Sequence, residues 1–230
     1  MSGLRHAHPF RLPSRVPELL RDSLLDGTGE VLVWAGTEPS AQLLEALPPQ
    51  WRTPLPRHPD RRRETLAARR ALRELIGRRA PGEIVKDTAG KPHLTTHPDL
   101  HVSITHSRGW GGALLARVPC GVDLQQRADK ILRLRSKFER RGERAFVEAQ
   151  TDEIAALHVL WGVKEALFKL WGEGGIDWHR HLVVHPFRYD AAGGECRGEI
   201  RIPGRRIGAR CAYRWVGGQC LVCAIASASI

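Results

Sequence analysis

In the stretch LLARVPCGVDLQQR, Leu114 to Arg127, an apolar run delivers a carboxylate, Asp123, and an amide, Gln125, two positions apart. Side chains alternate along a strand, so Asp123 and Gln125 share one face while Val122 and Leu124 point into a core. On that pattern alone, a strand end passing into a loop is an open alternative. A second group of polar side chains closes LHVSITHS, Leu100 to Ser107, where Thr105, His106 and Ser107 can all hydrogen-bond. Lysine gives a third signal. Only six of the 36 lysines and arginines are lysines, and Lys91, Lys164 and Lys169 are three of those six. The arginine excess reads as coding bias, which dilutes the meaning of any one arginine and sharpens that of each lysine. Cys220 and Cys223 form a C-x-x-C, but it sits in QCLVCAIAS, a buried-strand pattern, and no second pair follows at zinc-ribbon spacing. They are read as core thiols.

These residues need elements to hold them. EVLVWAG, Glu30 to Gly36, reads as a strand and Ser40 to Ala46 as a short helix. After the Pro-rich connector LPPQWRTPLPRHPD, an amphipathic helix is expected from Arg61 to Arg79. It sets Leu66, Leu72, Leu75 and Ile76 on or near one face and Arg62, Arg69 and Arg73 on another. EIVKDTAGKPHL gives two short strands about a turn at Ala89–Gly90. Strands follow in Leu100 to Ser107, in WGGALLARVP and at Asp123. Helices are expected at Ala128 to Phe138, Gly142 to Ala149 and Asp152 to Trp171, then four strands in HLVVHPF, GEIRI, IGARCAYRWV and QCLVCAIAS. The order fits an α+β fold whose two halves meet near residue 118.

Composition sets the outer limits. A chain of 230 residues that is 42% hydrophobic buries a sizeable core and is not disordered. The opening MSGLRHAHPFRLPSR lacks a signal-peptide core, and the longest apolar run, Cys220 to Ala226, is too short to span a bilayer. Five scattered cysteines suit a reducing compartment. A soluble cytoplasmic protein with no membrane partner is therefore expected. The net charge of +11 points to an anionic partner without choosing among nucleic acid, membrane surface, acidic protein and phosphorylated small molecule.

Four motifs together resemble a known family. GKP at Gly90–Pro92, SITHS at Ser103–Ser107, GVDLQ at Gly121–Gln125 and WGVKEALFK at Trp161–Lys169 occur in the order and approximate spacing of 4'-phosphopantetheinyl transferases. The last is the most specific: W-x-x-K-E-A with a second lysine three residues on, met here by Trp161, Lys164, Glu165, Ala166 and Lys169. The resemblance spans roughly residues 60 to 190 and is to the larger, single-chain type. It implies transfer of the phosphopantetheine arm of coenzyme A to a serine of an acidic acyl or peptidyl carrier protein, with release of 3',5'-adenosine bisphosphate. It also implies two similar α/β halves related by a pseudo-two-fold, here residues 1–117 and 118–230, with the active site in the cleft between them.

The same resemblance assigns roles. Magnesium, a hard cation on oxygen ligands, would be held mainly by Asp123, Glu165 and the coenzyme A pyrophosphate, with the Gln125 carbonyl oxygen either coordinating it or accepting a hydrogen bond from a metal-bound water. Glu165 would also take the serine proton, and Lys169 would meet the pyrophosphate. Coenzyme A, the co-substrate, would be bound by His106 and Thr105 at its phosphates, by Lys91 and Pro92 beside the adenine, and by Arg73 or its neighbour Arg69 at the 3'-phosphate. The family commonly has an acid where this chain has Gln125. An added charge there is expected to tighten metal binding, so that Gln125→Glu should bind magnesium better. A monomer is the expected state. The competing readings are a family member that has lost transfer activity and a basic nucleic-acid-binding protein. Against the latter, aromatics do not interleave with the arginines and no helix-turn-helix or zinc-finger spacing occurs, so no nucleic-acid partner is expected.

Overall fold

A computed structural model describes residues 19–25, 27–77 and 79–227. The opening stretch MSGLRHAHPFRLPSR lies outside the described residues. In chain order the first elements are β1 (Leu19–Leu24), β2 (Gly29–Ala35), α1 (Ser40–Glu45), α2 (Pro59–Ile76), β3 (Ile84–Lys86), β4 (Pro92–Leu94), β5 (His101–Ser107) and β6 (Trp110–Ala116). Then come β7 (Cys120–Gln126), α3 (Ile131–Leu134), α4 (Arg141–Glu148), α5 (Glu153–Trp171), β8 (Leu182–Val184), β9 (Gly194–Ile202), β10 (Arg205–Val216) and β11 (Gln219–Ala226). The class is α+β.

Two antiparallel sheets run in the orders β1-β2-β6-β5 and β7-β11-β10-β9-β8, and β3 pairs with β4 about the Gly90 turn. Alternation along the strands gives each sheet two apolar faces. Leu32, Trp34, Ala113 and Leu115 of the first sheet pack on Leu66, Leu72 and Leu75 of α2. Val31, Val33 and Leu114 on its other face meet Val122, Leu124, Leu221 and Ile225 of the second sheet. The far face of the second sheet packs on α5 through residues such as Val222, Leu160 and Leu167. The layers therefore run helix, sheet, sheet, helix. All five cysteines are free and buried in these layers, Cys220 and Cys223 fully so.

β5 and β7 are edge strands of different sheets, yet they do not leave their edges open. The Val122 N–H donates to Ser103 Oγ at 3.0 Å and the Leu124 N–H to Thr105 Oγ1 at 3.0 Å. Two side-chain hydroxyls thus replace the missing ladder and satisfy buried amides at the seam.

Three boundaries differ from the sequence reading. Asp123 is the middle residue of β7, paired to Val222, and not a strand end. The expected helix from Ala128 to Phe138 contracts to α3 and a 3-10 turn at Arg135–Lys137. There Arg135 ion-pairs with Glu139 and Glu153, and the Phe138 carbonyl is drawn to Lys164 Nζ at 2.6 Å. Helix α2 stops at Ile76 because Gly77, at φ 62°, turns the chain out of the helix. Among the described residues no helix is long and apolar enough to cross a membrane.

Candidate active site

The face of β7 opposite Val122 and Leu124 is covered by α5. His158, Gly162, Glu165 and Lys169 recur along that helix at steps of four, three and four residues, which keeps them on one stripe. The stripe lies on Asp123 and Gln125. Asp152 caps the start of the helix by accepting the Ala155 N–H at 3.0 Å, and Gly172 in the left-handed region ends it. Close approach is possible because Gly121 has no side chain: a Cβ there would stand 1.9 Å from the Ala166 carbonyl oxygen.

Lys169 reaches across this contact. Its Nζ donates to Val122 O at 2.7 Å, Asp123 Oδ1 at 3.1 Å and Thr105 Oγ1 at 3.3 Å, so all three of its protons are placed. One ammonium thus ties α5 to β7 and to β5 across the seam. Glu165, one turn earlier, is treated differently. Among the described residues no hydrogen bond or ion pair engages its carboxylate, which is half-buried. Burial, with the Asp123 charge adding to it, pushes that carboxyl up to about 7, while Lys169 pulls the other way. Asp123 and Glu165 therefore form a pair of like charges in a poorly hydrated gap.

Gln125 is spoken for at both ends. Its Nε2 donates to Asp123 Oδ2 at 3.3 Å and to the His158 carbonyl at 3.1 Å, and its Oε1 lies 2.9 Å from His158 Nδ1. The oxygen expected to serve a metal is turned toward the imidazole, away from Asp123. Burial holds His158 below the usual histidine pKa, which keeps the ring neutral near pH 7. Among the described residues no cluster of three or more His, Cys, Asp and Glu is placed to hold a metal, so Asp123 and Glu165 stand as a pair of carboxylates without a third.

The second polar centre sits at the start of α2. An open concavity of about 570 Å³ is lined there by His58, Arg61, Glu64, His106 and Arg108. His106 Nδ1 lies 3.2 Å from Glu64 Oε2 and 3.4 Å from Arg61 Nη1. Glu64 is 6% exposed; its Oε1 accepts the Gly109 N–H, while Oε2 is buried within charge distance of His106 and Arg61 but has no aligned donor. Burial lowers the His106 pKa most, Glu64 opposes that, and Arg61 and Lys169 add to the fall. Neither Glu64 nor Arg61 was read from the sequence as a site residue. Glu64 could have been found there, since it lies on the buried stripe with Ala68, Leu72 and Leu75.

Other expected residues are drawn elsewhere. Arg69 donates to the Trp51 carbonyl at 2.6 Å and the Pro54 carbonyl at 2.9 Å, and so clamps the Pro-rich connector to α2. Arg73 donates to the Gly77 carbonyl at the far end of the helix. With a rise of about 1.5 Å per residue, Arg69 and Arg73 stand about 12 and 18 Å along the axis from Arg61. The structure does not bring them to His106. Lys91 donates to the Leu170 carbonyl at 2.7 Å, crossing from the β3–β4 turn to the end of α5, with Pro92 beside it at the start of β4. A cavity of about 260 Å³ that borders both polar centres is lined by Ile131, Phe138 and Trp161 together with Gln125, His158 and Arg108.

The stripe of α5 and its partners on β7 fall inside a recognised segment. Residues 119–195 match the model of the 4'-phosphopantetheinyl transferase superfamily. A 4'-phosphopantetheinyl transferase from Bacillus subtilis is 29% identical over 90 residues, 37% of this chain and 39% of the relative. The chain thus spans about two fifths of the length of that relative in the match. The superfamily match takes in Asp123, Gln125, Glu165 and Lys169 and leaves out the His106 centre and Lys91.

Proposed function

We propose that the chain is a cytoplasmic 4'-phosphopantetheinyl transferase, in which coenzyme A lies in the cleft between two halves, residues 1–117 and 118–230, related by a pseudo-two-fold. The observation that carries this reading is the unpartnered Glu165 carboxylate set against Asp123 and flanked by Lys169, within the segment that matches the superfamily. Each half lays one long helix on one antiparallel sheet, which is the arrangement such a duplication would leave.

Magnesium fits the site by its donor chemistry: the buried Asp123 carboxylate and the half-buried, unpartnered Glu165 carboxylate share one nearby cation, Lys169, and hard oxygens are what that ion takes. Asp123 and Glu165 would hold it, and when bound it would neutralise charge on the coenzyme A pyrophosphate. The chain's own groups do the rest. His106, Arg61 and Arg108 line the concavity that receives phosphate oxygens. The apolar wall of Ile131, Phe138 and Trp161 suits the thin, flexible pantetheine arm and excludes water beside Gln125. A carrier serine hydroxyl attacks the phosphorus bearing that arm, its proton passes to Glu165, and the bond to the departing 3',5'-adenosine bisphosphate breaks. Lys169 supplies positive charge to the leaving oxygens. The excess of +11 steers both coenzyme A and an acidic carrier protein toward the cleft. The molecule acts as a monomer, and nucleic acid is not its partner.

Incubating the chain with coenzyme A, magnesium and a panel of apo carrier proteins, read by intact mass, tests this. A carrier gains the phosphopantetheine mass. Glu165→Gln and Lys169→Ala each slow the gain by about 10²–10⁴-fold with circular dichroism unchanged. A wild-type chain that modifies no carrier, or a fully active double variant, overturns the reading.

A further inference from the structure

Gln125 joins a hydrogen-bond chain whose direction is set at its Asp123 end. Its outer end faces Asp123 Oδ2 and the His158 carbonyl, and both are acceptors only, so the group pointed at them is the NH2. Its Oε1 then faces His158 Nδ1 at 2.9 Å, and that nitrogen carries the proton. The other ring nitrogen, Nε2, takes the Ala128 N–H at 3.0 Å and also lies 3.2 Å from the Ala128 carbonyl, so the direction is fixed from the Gln125 end. Reversing the amide would set an oxygen against two acceptors. The bonds therefore run from the Ala128 N–H through His158 and Gln125 and end on Asp123.

The surroundings are built for that chain. His158 is 3% exposed, and Gly162 leaves room on α5 where a Cβ would stand 3.0 Å from Gln125 Nε2. Lys169 holds the other oxygen of Asp123. The carboxylate is thus gripped at Oδ2 from one end of the stripe and at Oδ1 from the other, and it cannot rotate without breaking one grip.

We infer that His158 and Gln125 are positioning residues that orient Asp123 beside Glu165, and that Gln125 donates to Asp123 and is not itself a metal ligand. This rests on the proposed function, since the cation is what the oriented carboxylate serves. It reverses the expectation from counting charges. A glutamate at position 125 would turn an oxygen toward the His158 carbonyl and Asp123 Oδ2, so Gln125→Glu weakens magnesium binding.

The test needs no turnover. Magnesium is titrated by calorimetry into the full chain with coenzyme A and no carrier protein. His158→Leu removes the Nδ1–H and weakens magnesium by about tenfold or more, as loss of an outer partner of a ligand does. His158→Asn, whose Nδ2–H can take its place, retains most of the affinity. Nitrogen-15 spectra of the wild-type histidines show His158 neutral with its proton on Nδ1. A wild-type chain that binds no magnesium overturns the proposed function and this role with it. A wild-type chain that binds magnesium no better than His158→Leu overturns this role alone, as does a proton on Nε2 or tighter binding by Gln125→Glu.

Discussion

Helix α2 rests on Gly111, where a Cβ would stand 2.0 Å from the Ala68 nitrogen, and helix α5 rests on Gly121, where it would stand 1.9 Å from the Ala166 oxygen. Each of the two larger sheets thus receives a long helix in backbone contact with a strand at a glycine. The charges on the two helices then go opposite ways. Arg61 and Arg70 of α2 lie at the surface or clasp neighbouring carbonyls, and Glu64 is the one acid turned in. On α5, Lys164, Glu165 and Lys169 all point into protein. A helix that turns one acid in beside its apolar stripe is mostly scaffold; one that turns three charged groups inward within six positions, Lys164 fully buried and Glu165 and Lys169 half-buried, holds them for a reason beyond packing, because taking charge out of water is costly.

The sharpest way to break that comparison is at Lys164. Its ammonium is fully buried, 2.7 Å from Glu143 Oε2, and donates to the carbonyls of Phe138 and Trp178. Glu143 in turn accepts the Arg140 and Val184 N–H groups, so one ion pair gathers α4, α5, β8 and the turn before α4. Removing one partner of such a pair leaves the other charge buried, which costs about 3–5 kcal/mol. Lys164→Met is expected to lower unfolding free energy by about that much in urea titrations. A loss under about 1 kcal/mol would make Lys164 equivalent to a surface lysine.

A smaller effect is expected at the seam between the two sheets. Ser103→Ala and Thr105→Val each leave one buried amide of β7 without an acceptor, a cost of about 1–3 kcal/mol. Hydrogen exchange localises it: the Val122 amide loses protection in Ser103→Ala and the Leu124 amide in Thr105→Val. Unchanged exchange at both would mean that the two sheets hold each other by the apolar layer alone. Thr105→Val has a further consequence, since the hydroxyl is also a partner of Lys169.

How far the sequence reveals this arrangement depends on whether the signal is local. Alternation at Val122–Gln125 is a property of four consecutive residues, and the faces come out as read. The spacing of Trp161, Lys164, Glu165 and Lys169 marks α5 for the same reason. What escapes is set by distant partners. β7 extends past Asp123 because β11, nearly a hundred residues later, pairs along its whole length. β1 went unread because it is defined by its register with β2. Among the closely spaced arginines of α2, periodicity gives no way to choose, and the choice is made by carbonyls of the connector that take Arg69. His158 was legible in principle, lying seven residues before Glu165 and so on its face, but a histidine in an apolar run says nothing until Gln125 is opposite it.

The smallest effect belongs to the outward charges of α2, and it completes the contrast with Lys164. Arg70 Nη2 lies 2.7 Å from Glu74 Oε1, a geometry as close as that of the buried pair, but the two side chains are 25% and 40% exposed. Distance alone would rate the two pairs alike. Water decides otherwise: exposed charges are screened, and Arg70 is held without Glu74 by the Trp34 ring 5.0 Å away and by the Ala46 carbonyl. Glu74→Ala is therefore expected to cost about 0.3–0.5 kcal/mol at low salt. The cost should fade toward zero in about 1 M salt, where the Debye length is about 3 Å. If Glu74→Ala instead destabilised the chain as much as Lys164→Met, the orientation of charge on the two helices would have no energetic meaning, and the case that α5 buries its charges for function would lose its physical ground.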